Sequence, residues 1–236
     1  MDKRFSDRYL FVASYALSKF TGFNSVGNGP INANNFHEGD DYQGSDRRHR
    51  FTFSGFVDLP AYGGDNKFGR GVLNGWQLGL IMPFVSSPPL ANLIGNVDLD
   101  GDGINSLILP GGTFNGFGTR YGADKLRSLV SQYNTTLAGK TTVRGQPIPV
   151  ITLPTNIDNG DTFISQDLRL TRNIKITERL KLQLIGEGFN VFNISNLAGY
   201  NGTLTSPNYG VPSTRAGGTF GTGGPRAFQF AARLQF

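Results

Sequence analysis

Residues Pro225 to Phe236 alternate in polarity: Phe228, Phe230, Ala232, Leu234 and Phe236 recur at every second position, with Gln229, Ala231, Arg233 and Gln235 between them. Successive side chains of a strand point to opposite faces, so this segment predicts a strand with one apolar and one mostly polar face. A strand whose apolar side meets lipid can end on such an aromatic, which then sits at the membrane interface. The pattern returns along the chain. Tyr9, Phe11, Ala13, Tyr15 and Leu17 share one face of a strand, opposite Leu10, Val12, Ser14, Ala16 and Ser18. Phe51, Phe53, Val57 and Leu59 lie opposite Arg50, Thr52, Ser54 and Asp58. Trp76, Leu78, Leu80, Met82 and Phe84 lie opposite Gly75, Gln77, Gly79 and Ile81, although Pro83 argues against a long continuous ladder there. From Thr162 to Ile176, Ile164, Leu168, Leu170, Ile174 and Ile176 oppose Asp167, Arg169, Thr171, Asn173 and Lys175. Leu180, Leu182 and Leu184 oppose Lys181 and Gln183; past Gly186 the apolar side shifts to Phe189 and Val191, which predicts a β-bulge near Gly186 or Gly188.

Six strands result, and their connections alternate in length. Thr21–Ser45, Ser86–Asp161 and Ile194–Gly224 are long; Thr177–Arg179 is a tight turn, and Pro60–Leu73 is a Gly-rich connection that is long for its side. Long loops outside and short turns inside is the pattern of outer-membrane barrels. Residues 86–161 form the largest insert, and within it Leu126, Leu129, Val130, Tyr133 and Leu137 recur at helical spacing over Ala123–Ala138, with Gly139 just after. At the N-terminus, Met1-Asp2-Lys3-Arg4 ahead of the apolar Tyr9–Leu17 has some look of a signal peptide, but Asp7-Arg8 and the two tyrosines favour the strand.

Composition narrows the class. Of the 236 residues, 38% are hydrophobic and 17% charged, which fits neither a disordered chain nor a helical membrane protein. No apolar run reaches the length of a transmembrane helix. The 33 glycines are about twice the usual share and suit β structure with large loops. With no cysteine there is no disulfide framework and no thiolate metal site. The net charge of +5 is spread out rather than blocked, so nucleic acid is not an expected partner.

Five segments together resemble a TonB-dependent outer-membrane receptor: Asp46-Arg47-Arg48-His49-Arg50, Leu73-Asn74-Gly75-Trp76-Gln77, Gln166 to Arg172, Glu187 to Asn196, and Phe220 to Gln229. They look like the Oar-like branch of that family, whose members carry a carboxypeptidase-regulatory-like domain ahead of the plug. The resemblance implies an all-β, antiparallel transmembrane barrel of about 22 strands filled by an N-terminal plug. On this reading residues 1–236 are the C-terminal part of the barrel, a fragment without plug, TonB box or signal peptide. It implies a bacterial outer-membrane location and energy-driven uptake of a bulky ligand. Plug and TonB would be partners only through the missing N-terminal part. Six strands fall short of the roughly eight that close a membrane barrel, so the wall needs more strands or other copies. The resemblance also gives the last strand, with Phe228, Phe230, Leu234 and Phe236, the role of a signal read by the barrel-assembly machinery.

Candidate chemistry is sparse. Asp98, Asp100 and Asp102, followed by Gly103, start like a calcium loop, with Asn105 as an extra oxygen donor. The twelfth position is Leu109 rather than Glu, and a solvated Asp/Gly turn is the plainer reading. Calcium here is the one cofactor candidate. Asp167, Arg169, Lys175 and Glu187 are expected to face the lumen, either along a ligand path or as a structural charge ladder, with Arg169 and Glu187 the best pair. The Asp46–Arg50 cluster is either a phosphate or lipopolysaccharide site at the outer rim or a solvated strand end. Trp76, Phe84 and Phe228 read as lipid-girdle residues. His37 and His49 have no metal-type spacing to a second ligand, so no enzyme is expected. The alternative is a soluble all-β sandwich, adhesin- or lectin-like, whose apolar strand faces pack inward.

Overall fold

The computed structural model describes residues 2–6, 8–26, 29–218 and 221–236, with the side chains of residues 2–6, 25, 26 and 106 excepted. Met1, Asp7 and Phe220, which enter the sequence-based expectations, lie outside the described residues. The wall is one antiparallel sheet built in chain order: β1 (Asp2–Ser6), β2 (Tyr9–Leu17), β3 (His49–Asp58), β4 (Trp76–Val85), β5 (Phe163–Ile164), β6 (Asp167–Lys175), β7 (Lys181–Phe189) and β8 (Ala227–Gln235). The order is β1-β2-β3-β4-β6-β7-β8, with β5 pairing β4 ahead of β6. Among the described residues no pairing joins β1 to β8, so the sheet stands open with two free edges.

All six expected strands are present. The N-terminal expectation is corrected by an added strand: β1 folds back on β2, with Asp2 opposite Val12 and Ser6 opposite Tyr9. The expected bulge near Gly186 or Gly188 is also corrected. The register between β7 and β8 runs without a shift from Lys181–Gln235 to Phe189–Ala227. Gly186 and Gly188 stay on the apolar face, and the rings of Phe230 and Phe228 cover them: an added Cβ would meet those rings at 3.5 and 3.0 Å. The apolar side does not shift; it is supplied from the neighbouring strand, which places Phe189 on the polar face.

Pro83 acts on its neighbour. β4 itself continues through Pro83, paired to Thr52 of β3. On its other side the partner strand is interrupted at Ser165–Gln166, between β5 and β6, where Pro83 accepts from the Ser165 N–H but has no N–H to return.

The buried core is not in the wall. Every buried hydrophobic residue among those described lies in the long loops. Leu90, Ile94, Val97, Leu109 and Phe117 pack with Leu126, Leu129, Val130 and Tyr133 of helix α2 (Ala123–Thr136) and with Leu204 and Tyr209. The helix is the expected one, buried on one face, and Gly139 follows it at φ 79°. Ile31 from the first long loop joins Ile108 and Phe114. Buried Asp41 clamps Arg120 at 2.7 and 3.0 Å, tying the first long loop to the second. The three long loops therefore form a single folded cap. The connection after β3 also holds structure that composition hid: helix α1 (Lys67–Leu73), capped by the Asn66 side chain, which accepts from Phe68 N and Gly69 N.

Candidate functional site: the polar face of the wall and its junction with the cap

In-register pairing lines up the polar positions across the sheet. Arg169 faces Glu187, and Glu187 faces Gln229. The Gln229 amide donates to Glu187 Oε2 at 2.7 Å, and Arg169 Nε lies 3.7 Å from Glu187 Oε1. The Arg169 side chain is half exposed, so this pair is worth less than about 1 kcal/mol. Arg169 and Glu187 line a groove of about 610 Å³ with Asp167, Thr171, Gln183 and Arg233, flanked by Leu10, Phe56 and Phe189. Lys175 shares the face but not the site: it sits at the far end of the wall, opposite Lys181. Two like charges directly opposite are mildly unfavourable in a ladder.

Asp167 is different in kind. It is buried, and Oδ1 accepts from Ser165 Oγ at 2.7 Å and from the Asn190 N–H at 2.9 Å, while Oδ2 accepts from Thr222 Oγ1. Around it the chain turns sharply. Asn190, Asn193 and Asn196 all have positive φ, which asparagine tolerates because its short amide bonds locally. The Asn190 amide donates to the Gly224 and Ile194 carbonyls at 2.6 and 2.9 Å. Asn196 donates to the Ile164 and Gly223 carbonyls at 2.9 and 3.0 Å and accepts from Ile164 N at 2.8 Å. Gly223 has φ 78°, and a Cβ there would fall 2.1 Å from the Phe163 ring. Three segments far apart in sequence, around Asp167, Asn190 and Gly223, thus meet at one point where the wall joins the cap. Reasoning on the sequence alone missed Asn190 and Asn196; their three-residue spacing with Asn193 was the available signal.

The Asp46–Arg50 cluster closes a neighbouring strand end. Asp46 is buried and accepts from Phe20 N at 2.7 Å, Arg48 donates to Ser18 O at 3.1 Å, and His49 Nδ1 lies 2.8 Å from Tyr15 Oη. Burial, then the charge of Arg50, holds the Arg47 guanidinium below its usual range.

In the cap, carboxylate oxygens of Asp98, Asp100 and Asp102 lie within 4.8 Å of one another. Asp98 accepts from Gly101 N and Gly103 N and pairs with Arg144 at 3.1 Å. Burial pushes its carboxyl up, but those N–H groups and Arg144 outweigh it and hold it below the usual range. Burial and the adjacent Asp102 raise Asp100. Asp102 also accepts from Ile104 N and Ala33 N. Asn105 meets the loop through its backbone carbonyl, which accepts from Asn96 N at 3.0 Å.

On the opposite face of the wall, Leu78, Phe84, Leu168, Leu170, Phe228, Phe230 and Leu234 are exposed. Phe236 follows the last paired residue and is fully exposed. Among the described residues no second sheet packs on this face.

An antiparallel wall that is apolar on one side and polar on the other, with the buried core of the described residues in the loops at one end, defines a membrane β-barrel protein. The family model for the outer membrane beta barrel domain matches residues 1–229, and the chain belongs to that family. It is a protein of the bacterial outer membrane, and the soluble sandwich is thereby set aside. No curated protein and no solved structure showed significant similarity.

Proposed function

We propose that this chain is barrel wall in a TonB-dependent receptor that takes up a bulky ligand, with the cap on the outer surface and the short turns in the periplasm. The observation that carries the reading is the polar groove around Asp167, Arg169 and Glu187 beneath a folded cap. The cap limits what reaches the groove, and the wide, charged face suits a lumen that holds protein and solvent together. The free edges of β1 and β8 pair with further strands to complete a barrel of about 22, because unpaired backbone groups are too costly in lipid. Lipid and lipopolysaccharide surround the apolar face, and the plug and TonB engage through the rest of the receptor. The last strand, with Phe228, Phe230, Leu234 and Phe236, serves the barrel-assembly machinery. No catalytic role is part of this reading.

The receptor extracted intact from outer membranes is expected to be retained by immobilised periplasmic domain of TonB. In intact cells a membrane-impermeant thiol reagent is expected to label Val143→Cys in the cap, 85% exposed, and to leave Val72→Cys unlabelled. Failure of TonB capture sinks the transport reading; the reverse labelling pattern sinks the orientation.

The Asp98–Asp102 loop takes a Ca²⁺ ion in this reading, weakly, because Arg144 already neutralises part of its charge. Hydrogen exchange of residues 95–110 is expected to slow at millimolar Ca²⁺ and to respond at lower Ca²⁺ in Arg144→Gln; unchanged exchange in both removes the site.

A further inference from the structure

The connection between β3 and β4 is too long for a plain turn, and its position accounts for the length. Trp76 and Arg172 are cross-strand partners on the apolar face, with the Arg172 guanidinium 5.3 Å from the Trp76 ring centre. Both reach out to α1: Trp76 Nε1 donates to Val72 O at 2.9 Å, and Arg172 donates to Gly71 O. Helix α1 is therefore fastened to the lipid side of the wall, at its short-turn end, rather than beneath the lumen. A seven-residue helix is not stable alone in water. Yet none of its residues is buried: Phe68 is 77% exposed and Leu73 52%. Phe68 and Val72 are four apart and share one side of the helix. Between the helix and the wall runs an apolar groove of about 500 Å³ lined by Leu59, Pro60, Tyr62, Leu73, Trp76 and Leu170.

The charges around this groove are unequal. Lys67, Arg70 and Arg172 are cationic, and Asp65 is the acidic neighbour on the same connection. Asp58, at the end of β3, lies on the polar face, where it accepts from Gln77 Nε2 at 2.9 Å. The groove is also continuous with the apolar face that meets the bilayer.

We propose that α1 is an interfacial helix forming a binding site for an anionic phospholipid of the inner leaflet. An acyl chain lies along Leu170, Trp76 and Leu73, and the phosphate meets Lys67 and Arg70. Phe68 and Val72 are immersed at the level of the headgroups, with Tyr62 and Trp76 as the aromatic belt. The leaflet rests on the orientation proposed above; the lipid selectivity does not.

These 236 residues contain no cysteine, so Val72→Cys or Phe68→Cys, in a receptor whose remaining cysteines, where it has any, are replaced by serine, gives a single site for a fluorophore. The intact barrel protein carrying one of them is reconstituted into phosphatidylcholine vesicles doped with brominated phosphatidylglycerol or, at equal mole fraction, brominated phosphatidylcholine. Quenching by both is expected, with half-quenching at roughly fivefold less phosphatidylglycerol, the effect of about one cation near a charged headgroup. Lys67→Gln with Arg70→Gln is expected to abolish that preference while leaving the quenching by phosphatidylcholine. Equal quenching by the two lipids in the parent protein overturns the anionic site, and no quenching by either at both positions overturns the immersion of the helix. Vesicle quenching is blind to orientation, so a reversed barrel is recognised by the whole-cell labelling alone.

Discussion

Asp167→Ala is expected to unfasten the wall from the cap. The substitution strands two buried donors, the Ser165 hydroxyl and the Asn190 N–H, and removes the partner of the exposed Thr222 hydroxyl, which water can replace. Each buried donor left without a partner costs about 1–3 kcal/mol, and the loss of a charged acceptor lies toward the upper end. The sum is several kcal/mol, comparable to much of the net stability of a typical domain. Asp167→Asn keeps one acceptor oxygen and is expected to cost less than half as much. Arg169→Ala, two residues along on the same face, removes an exposed pair and is expected to cost under about 1 kcal/mol. Heat-modifiability of the folded barrel on cold gels, with limited proteolysis of residues 190–226, ranks the three. If Asp167→Ala melts and cleaves like Arg169→Ala, the junction is not what joins wall to cap.

Leu126→Ala is expected to loosen the cap and spare the wall. Leu126 is fully buried on α2 among residues from both of the longer loops. Removing its side chain loses the transfer energy and leaves a cavity, for about 2–5 kcal/mol. The wall is held by a separate set of forces: ladder hydrogen bonds along β2 to β8 and lipid against Phe228, Phe230 and Leu234. In micelles, hydrogen exchange should accelerate across residues 90–153 and 200–210 and stay slow across β6 and β7. Equal acceleration in the two regions would mean that cap and wall unfold as one unit.

Much of the wall was legible from the chain because a strand repeats every two residues, whatever it pairs with. The faces assigned to Trp76–Phe84, Leu168–Ile174 and Leu182–Leu184 are the faces observed. The α2 helix was legible for the same local reason, at a period of 3.6. The reading failed where a face is completed by another strand. Gly186 and Gly188 looked like a shift in the apolar side because the rings that cover them belong to Phe230 and Phe228. It failed also at α1, whose glycines masked a helix held in place by Trp76 and Arg172 from the wall. Among the candidate residues, Arg169 and Glu187 met through register, Asp167 lines the same groove with its carboxylate engaged in the junction, and Lys175 lies at the other end.

By itself, then, the sequence determined the strands, their two faces and the alternation of long and short connections. These are short-range consequences of side-chain period and turn composition. Only the tertiary structure decided what those elements meet. Asp167 reaches Asn190 across 23 residues and Thr222 across 55, and neither distance leaves a mark in a local pattern. The placement of the core in the cap is of the same kind. Water surrounds the loops, so their apolar residues bury one another, while lipid takes the place of a core for the wall.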